Sequence, residues 1–112
     1  MSLSKELARG TVMPIVLSLL AERPMYGYEI VKTVNTRSNG VLEFKEGTLY
    51  PLLHKMQGQR LLKAKWQDGP ASGGGKARKY YALTPKGNRL LDASREQWES
   101  MSGAVDALLM GA

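Results

Sequence analysis

Cysteine is absent from the 112-residue chain, and histidine and phenylalanine occur once each, as His54 and Phe44. Without cysteine there is no disulfide and no thiolate nucleophile, and one histidine is too few to build a protein-only zinc site. Long apolar runs are missing as well. The longest, Ile15 to Ala21, is broken by Ser18 and falls far short of the roughly 20 residues that a membrane-spanning helix needs. Met1 to Gly10 holds no apolar h-region of the kind a secretory leader carries, so a cytoplasmic protein without a membrane partner is expected. Enzymatic signatures are thin too. No glycine-rich phosphate cradle precedes a helix, no pair of carboxylates flanks His54, and Gly73, Gly74 and Gly75 fall in a turn between strands. The expectation is a non-enzyme with no catalytic residue, no metal and no cofactor.

Acidic residues are the scarcer charge: 10 against 16 Lys and Arg, a net +6. That excess suits a polyanionic partner, yet it also serves mere solubility, so charge needs a fold before it becomes an argument. The length allows one domain with one core.

Apolar residues at Val12, Ile15, Val16, Leu19 and Leu20 follow the i, i+3, i+4, i+7, i+8 spacing of a helix with one buried face, over about Arg9 to Leu20. Pro14 requires that helix to start near Gly10 or Thr11, or to kink. After Glu22, Arg23 and Pro24, the pattern resumes at Tyr26, Ile30, Val31 and Val34, predicting a second helix from about Tyr26 to Ser38, closed by Asn39 and Gly40. A third runs from about Gly47 to Gln59 on Leu49, Leu52, Leu53 and Met56. Pro51 fits it only in the first turn, which puts the N-cap at Glu46, Gly47 or Thr48.

Beyond Arg60 the period drops to two. Leu62, Ala64 and Trp66 alternate with Lys63, Lys65 and Gln67, as in a strand buried on one side, and Lys76 to Thr84 returns as its partner. Pro70, Ser72 and three glycines make the intervening tip. Thr84 is a good N-cap with Pro85 at N1, opening a helix that can run to about Met110. Along it Leu91, Ser94, Trp98, Met101, Val105 and Leu108 step by three and four, a heptad-like seam longer than three short helices can cover, so a second copy of the chain is the expected partner.

The fold class expected is therefore mainly α with a small β-hairpin: a winged helix-turn-helix head over residues 1–84 and a long dimerisation helix over 85–112, packed as one compact unit. In such a head the third helix enters the major groove and the hairpin reaches the flanking backbone. The third helix carries Thr48, Tyr50, His54 and Lys55 on its outer side, and Lys63, Lys65, Lys76, Arg78 and Lys79 crowd the hairpin.

Three blocks carry a resemblance. They are Leu20 with Pro24, Met25, Tyr26, Gly27, Tyr28, Glu29 and Ile30; Gly47, Thr48, Leu49, Tyr50, Pro51, Leu52 and Leu53; and Lys79, Tyr80, Tyr81, Ala82, Leu83, Thr84, Pro85, Lys86 and Gly87. In this order and spacing the chain resembles the PadR family of bacterial transcriptional regulators, over nearly its whole length and most closely in short members with a single C-terminal helix. The resemblance implies a homodimeric repressor on the nucleoid that binds an inverted-repeat operator in double-stranded DNA and is released by an inducer. It assigns DNA contacts to Thr48, Tyr50, Pro51, His54, Lys55, Lys65, Lys76, Arg78 and Lys79. Tyr50 and the hairpin cations would lie on phosphates, and His54 and Lys55 near base edges.

Tyr26 to Glu29 read as structural, with Gly27 permitting a tight helix start and the tyrosines packing. Trp98 reads first as an interface anchor. Some short relatives use a tryptophan at the corresponding place to stack flat aromatic molecules across the dimer axis, which makes Trp98, with Val12, Ile15, Met101 and Val105 as walls, the site for a small hydrophobic or aromatic effector. The competing reading is a ligand- or protein-binding winged-helix module without specific DNA recognition. RNA is disfavoured because no aromatic RNP-type strand motif is present.

Overall fold

A computed structural model describes residues 10–67 and 77–111. Helix α1 spans Val12–Glu22 and places Pro14 in its first turn, where backbone N–H groups have no intrahelical partner. Its first intrahelical bond runs from Ile15 N to Thr11 O at 3.1 Å, so the proline needs no kink. The helix buries Val16, Leu17, Leu19 and Leu20.

The chain then forms β1, Met25–Tyr26, an element that the sequence reading absorbed into the next helix. Helix α2, Gly27–Arg37, buries Ile30 and Val34. It ends as expected at Asn39 and Gly40, both in the left-handed region at φ 52° and 78°, and Gly40 N closes the end on Asn35 O at 2.8 Å. Asn35 also accepts from Phe44 N through Oδ1 at 3.2 Å, which holds the α2–α3 connection while Phe44 buries its ring. Glu22 and Arg37 meet in a two-pronged ion pair at 2.6 and 2.7 Å, joining the C-terminal ends of α1 and α2. The guanidinium pulls the Glu22 carboxyl below its ordinary value and is itself raised in return.

Helix α3 spans Glu46–Gly58 with Lys45 as N-cap, so the expected start at Gly47 and the expected cap are each displaced toward the N-terminus. Lys45 O accepts from both Thr48 N and Leu49 N, at 3.0 and 2.9 Å, which winds the first turn ahead of Leu49. Pro51 therefore stands in the second turn, not the first. The bond it cannot donate would have gone to the carbonyl of Gly47, an exposed residue whose oxygen water can serve instead.

Strands β2, Leu62–Gln67, and β3, Arg78–Leu83, pair antiparallel from Leu62 with Leu83 to Gln67 with Arg78. Strand β1 pairs with the other edge of β3, Met25 with Tyr81 and Tyr26 with Tyr80, giving the order β1-β3-β2. The expected burial of one strand face holds for Leu62 and partly for Ala64, but fails at Trp66, which is 65% exposed. The period is right and the core is shorter than the strand: past Ala64 the hairpin projects beyond the helices it packs on.

Helix α4, Pro85–Met110, begins where the sequence places it. Thr84 Oγ1 accepts from Gly87 N at 3.0 Å and shares its hydroxyl proton between Arg60 O and Leu61 O, at 2.7 and 2.9 Å. Lys86 Nζ adds a bond to Gln59 O at 2.9 Å. The turn after α3 is thereby tied to the first turn of α4, and Gly87 is required because a Cβ there would run into the Leu61 carbonyl oxygen and the Leu83 side chain. The core formed by α1, α2, α3 and the sheet reaches α4 at Leu91.

Candidate nucleic-acid interface

Helix α3 has two faces. Leu49, Leu53 and Met56 are buried and Leu52 half-buried, while Thr48, Tyr50, Pro51, His54 and Lys55 are exposed along the opposite side. This is the division the sequence predicts, and it leaves a hydroxyl, a phenol, an imidazole and an ammonium free on one ridge.

Tyr50 is fixed from beneath. Its ring lies over Gly27, where a Cβ would come within 2.7 Å of the phenol oxygen. Gly27 does not have positive φ, so the glycine is needed for the space it leaves to Tyr50 and not for an unusual backbone angle. Partial burial, followed by the nearby Glu46 carboxylate, pushes the Tyr50 phenol above its usual range. At neutral pH the group therefore stays a hydrogen-bond donor, the form suited to a phosphate oxygen.

The wing presents its cations in two ways. Lys63 and Lys65 are exposed on the outer face of β2. Arg78 and Lys79 are half-buried and held against rings. The Arg78 guanidinium lies 4.5 Å from the centre of Tyr26, which meets Tyr80 edge-on at 5.4 Å, and Lys79 Nζ lies 5.3 Å from the centre of Tyr81. Tyr26 thus packs as expected, but Tyr28 is 54% exposed and does not. Glu29, in the first turn of α2, pairs with Arg23 at 2.6 Å. Lys76 lies outside the described residues.

Between α3 and the wing the surface folds into an open groove of about 240 Å3, bordered by Tyr26, Gly27, Tyr50, Trp66 and the stretch 77–79. It joins Tyr50 to Arg78 and Lys79. Trp66, expected in the core, is the residue that sequence reasoning missed here.

Among the described residues no three His, Asp or Glu side chains come together as a metal site, and no helix is long and apolar enough to cross a membrane.

The sequence pattern of the Transcriptional regulator PadR-like family matches residues 16–93. The chain belongs to this family. It is a DNA-binding regulator of transcription on a winged-helix fold, and the PadR blocks read from the sequence are the residues that build the α2–Tyr50 contact and the β3–α4 junction. A transcriptional regulator from Clostridium thermocellum superposes with a TM-score of 0.85 at 29% identity, covering 96% of this chain and 98% of the other. A PadR family regulator from Eggerthella lenta does so with a TM-score of 0.79 at 38% identity, covering 93% and 86%. The Escherichia coli transcriptional regulator YqjI is 28% identical over 92% of this chain, which spans only 46% of that protein.

The proposed effector residues divide between two places. Val12 and Ile15 are half-buried against the core. Ile15 borders a cleft of about 190 Å3 with Leu19, Val34, Arg37, Ser38 and Leu42, to which no residue of α4 contributes. Trp98, Met101 and Val105 stand out on the distal half of α4, 54%, 52% and 41% exposed.

Proposed function

We propose that this PadR-like protein is a homodimeric, sequence-specific repressor that binds an inverted-repeat operator in double-stranded DNA, acts in the cytoplasm on the nucleoid, and is released by a small aromatic effector. The observation that carries the reading is the polar ridge of α3 set beside a groove that Tyr50 borders together with Arg78 and Lys79 of β3, while Lys63 and Lys65 stand exposed on the outer face of β2. His54 and Lys55 are the candidates for base edges, Tyr50 and the wing cations Lys65, Lys76, Arg78 and Lys79 for the phosphates, and Thr48 and Pro51 for further contact with the duplex. Residues 1–84 make the head and 85–112 the pairing helix, and Leu91 of the helix joining the core of the head supports one compact unit.

Exposure of Trp98, Met101, Val105 and Leu108 on one helix supports pairing of two α4 helices. In the pair, the two Trp98 indoles would face each other across the axis, with Met101 and Val105 beside them and Val12 and Ile15 of the head closing the space. A planar ligand there weakens operator binding only through its differential affinity for two head spacings.

The test is binding of the full chain to the DNA upstream of its own gene, against a scrambled duplex at about 150 mM salt, where exposed charges are already screened. A footprint over an inverted repeat supports the repressor reading. Equal affinity for the scrambled duplex argues for a ligand- or protein-binding module.

A further inference from the structure

Trp66 is anomalous in its setting. By strand parity it shares the face of β2 with Leu62 and Ala64, the face that packs on the core, and it stands directly opposite Lys79. Yet two-thirds of its surface is open, because the core ends before the strand does. What lies next to it is the groove whose other wall is Tyr50, itself 43% exposed and seated on Gly27. The walls are aromatic. Among the described residues the charged side chains that border the groove are Arg78 and Lys79, both cationic, and no carboxylate borders it. An apolar slot with two cations at its rim suits an occupant with an apolar body and a negative charge attached.

We propose that this groove takes the deoxyribose–phosphate backbone of the bound duplex, one sugar lying against the Trp66 indole and its phosphate held by Lys79 and the Tyr50 hydroxyl. The placement follows from the surface on either side. If the α3 ridge enters the major groove and the wing lies on the flanking backbone, the strand between them crosses the opening that Trp66 and Tyr50 wall. The indole supplies a flat apolar contact to the C–H edge of a sugar, which every nucleotide carries, so its contribution is independent of sequence. It also carries no charge, which separates its effect from that of the lysines around it.

The inference rests on the duplex-binding reading of this surface, and the test distinguishes the two. The full chain and its W66A and W66F variants are titrated with duplex DNA of mixed sequence at about 50 mM salt and upward, and the slope of log affinity against log salt is taken for each. Circular dichroism accompanies each titration; an indole with two-thirds of its surface open is dispensable to the core, so the variants stay folded. W66A is expected to lose about tenfold in affinity for every duplex with an unchanged slope, and W66F to retain most of the affinity. If the wild type binds duplex and W66A binds it equally well, the contact is absent and the inference alone is overturned. A folded wild type that binds no duplex overturns the regulator reading, and the inference falls with it.

Discussion

Two glycines show how single residues divide between folding and the surface between α3 and the wing. A methyl at Gly87 meets a backbone carbonyl, that of Leu61, which cannot swing aside without moving the turn between α3 and β2. A methyl at Gly27 meets the far end of the Tyr50 side chain, which can rotate toward solvent. Gly87→Ala is therefore expected to cost about 1–3 kcal/mol of stability as an overpacking strain, read from the urea midpoint at constant slope. Gly27→Ala should leave the midpoint nearly unchanged, since alanine also favours the first turn of a helix, but should lower duplex affinity by displacing Tyr50. A Gly27→Ala chain that melts early and binds DNA normally would refute the assigned role. Thr84 joins the two regions, and Thr84→Ala removes the cap on Gly87 N together with two bonds to the α3–β2 turn. Its cost is expected to be about 1–2 kcal/mol, measured in the same way.

Among the elements, those with a long period were legible and the short or terminating ones were not. Helix α4 was legible from Thr84 and Pro85 to its last turn because a cap and a heptad-like spacing of five steps, from Leu91 to Leu108, act over many residues. Strand β1 was missed because two residues carry no period, and its existence depends on β3 arriving from more than 50 positions away. The α3 ridge was legible from Leu49, Leu53 and Met56, whereas the open position of Trp66 was not: alternation tells which face a side chain takes, and nothing local tells where the helices beneath it stop. The groove was invisible for the same reason, being formed by α2, α3 and the wing together. The ion pair between the ends of α1 and α2 gives a prediction at this scale. Glu22 titrates below its ordinary value of 4.5 in the folded chain, so the pair stabilises above that value and its contribution is lost as pH falls through the lowered one. Because both groups are exposed, the effect is small. Thermal melts of the wild type should fall more steeply in this acid range than those of Glu22→Gln, and parallel curves would mean that the pair does not hold the two helices.

At the scale of the whole molecule the decisive feature is the length of α4, whose 26 residues extend about 39 Å at the usual rise while the core reaches only to Leu91. The particle measures 57 × 33 × 21 Å, and Leu108, Leu109 and Met110, at 86%, 77% and 76% exposed, lie on the helix end that the core does not reach. Apolar groups so placed lose their burial energy in a lone chain, at about 25 cal/mol per Å2 of apolar surface, and recover it when a second α4 lies alongside. In the proposed dimer, operator recognition would depend on the same pairing, since one head would cover one half-site and two heads fixed a helical turn apart would gain from both. A chain truncated after Gln97 keeps Leu91 and the Thr84 cap, so its head should stay folded while pairing and tight operator binding are lost together. Sedimentation equilibrium beside a DNA titration reads both. A truncated chain that is monomeric yet binds the operator as tightly as the whole protein would show that recognition does not run through α4. One that remains dimeric would place the pairing surface on the head instead.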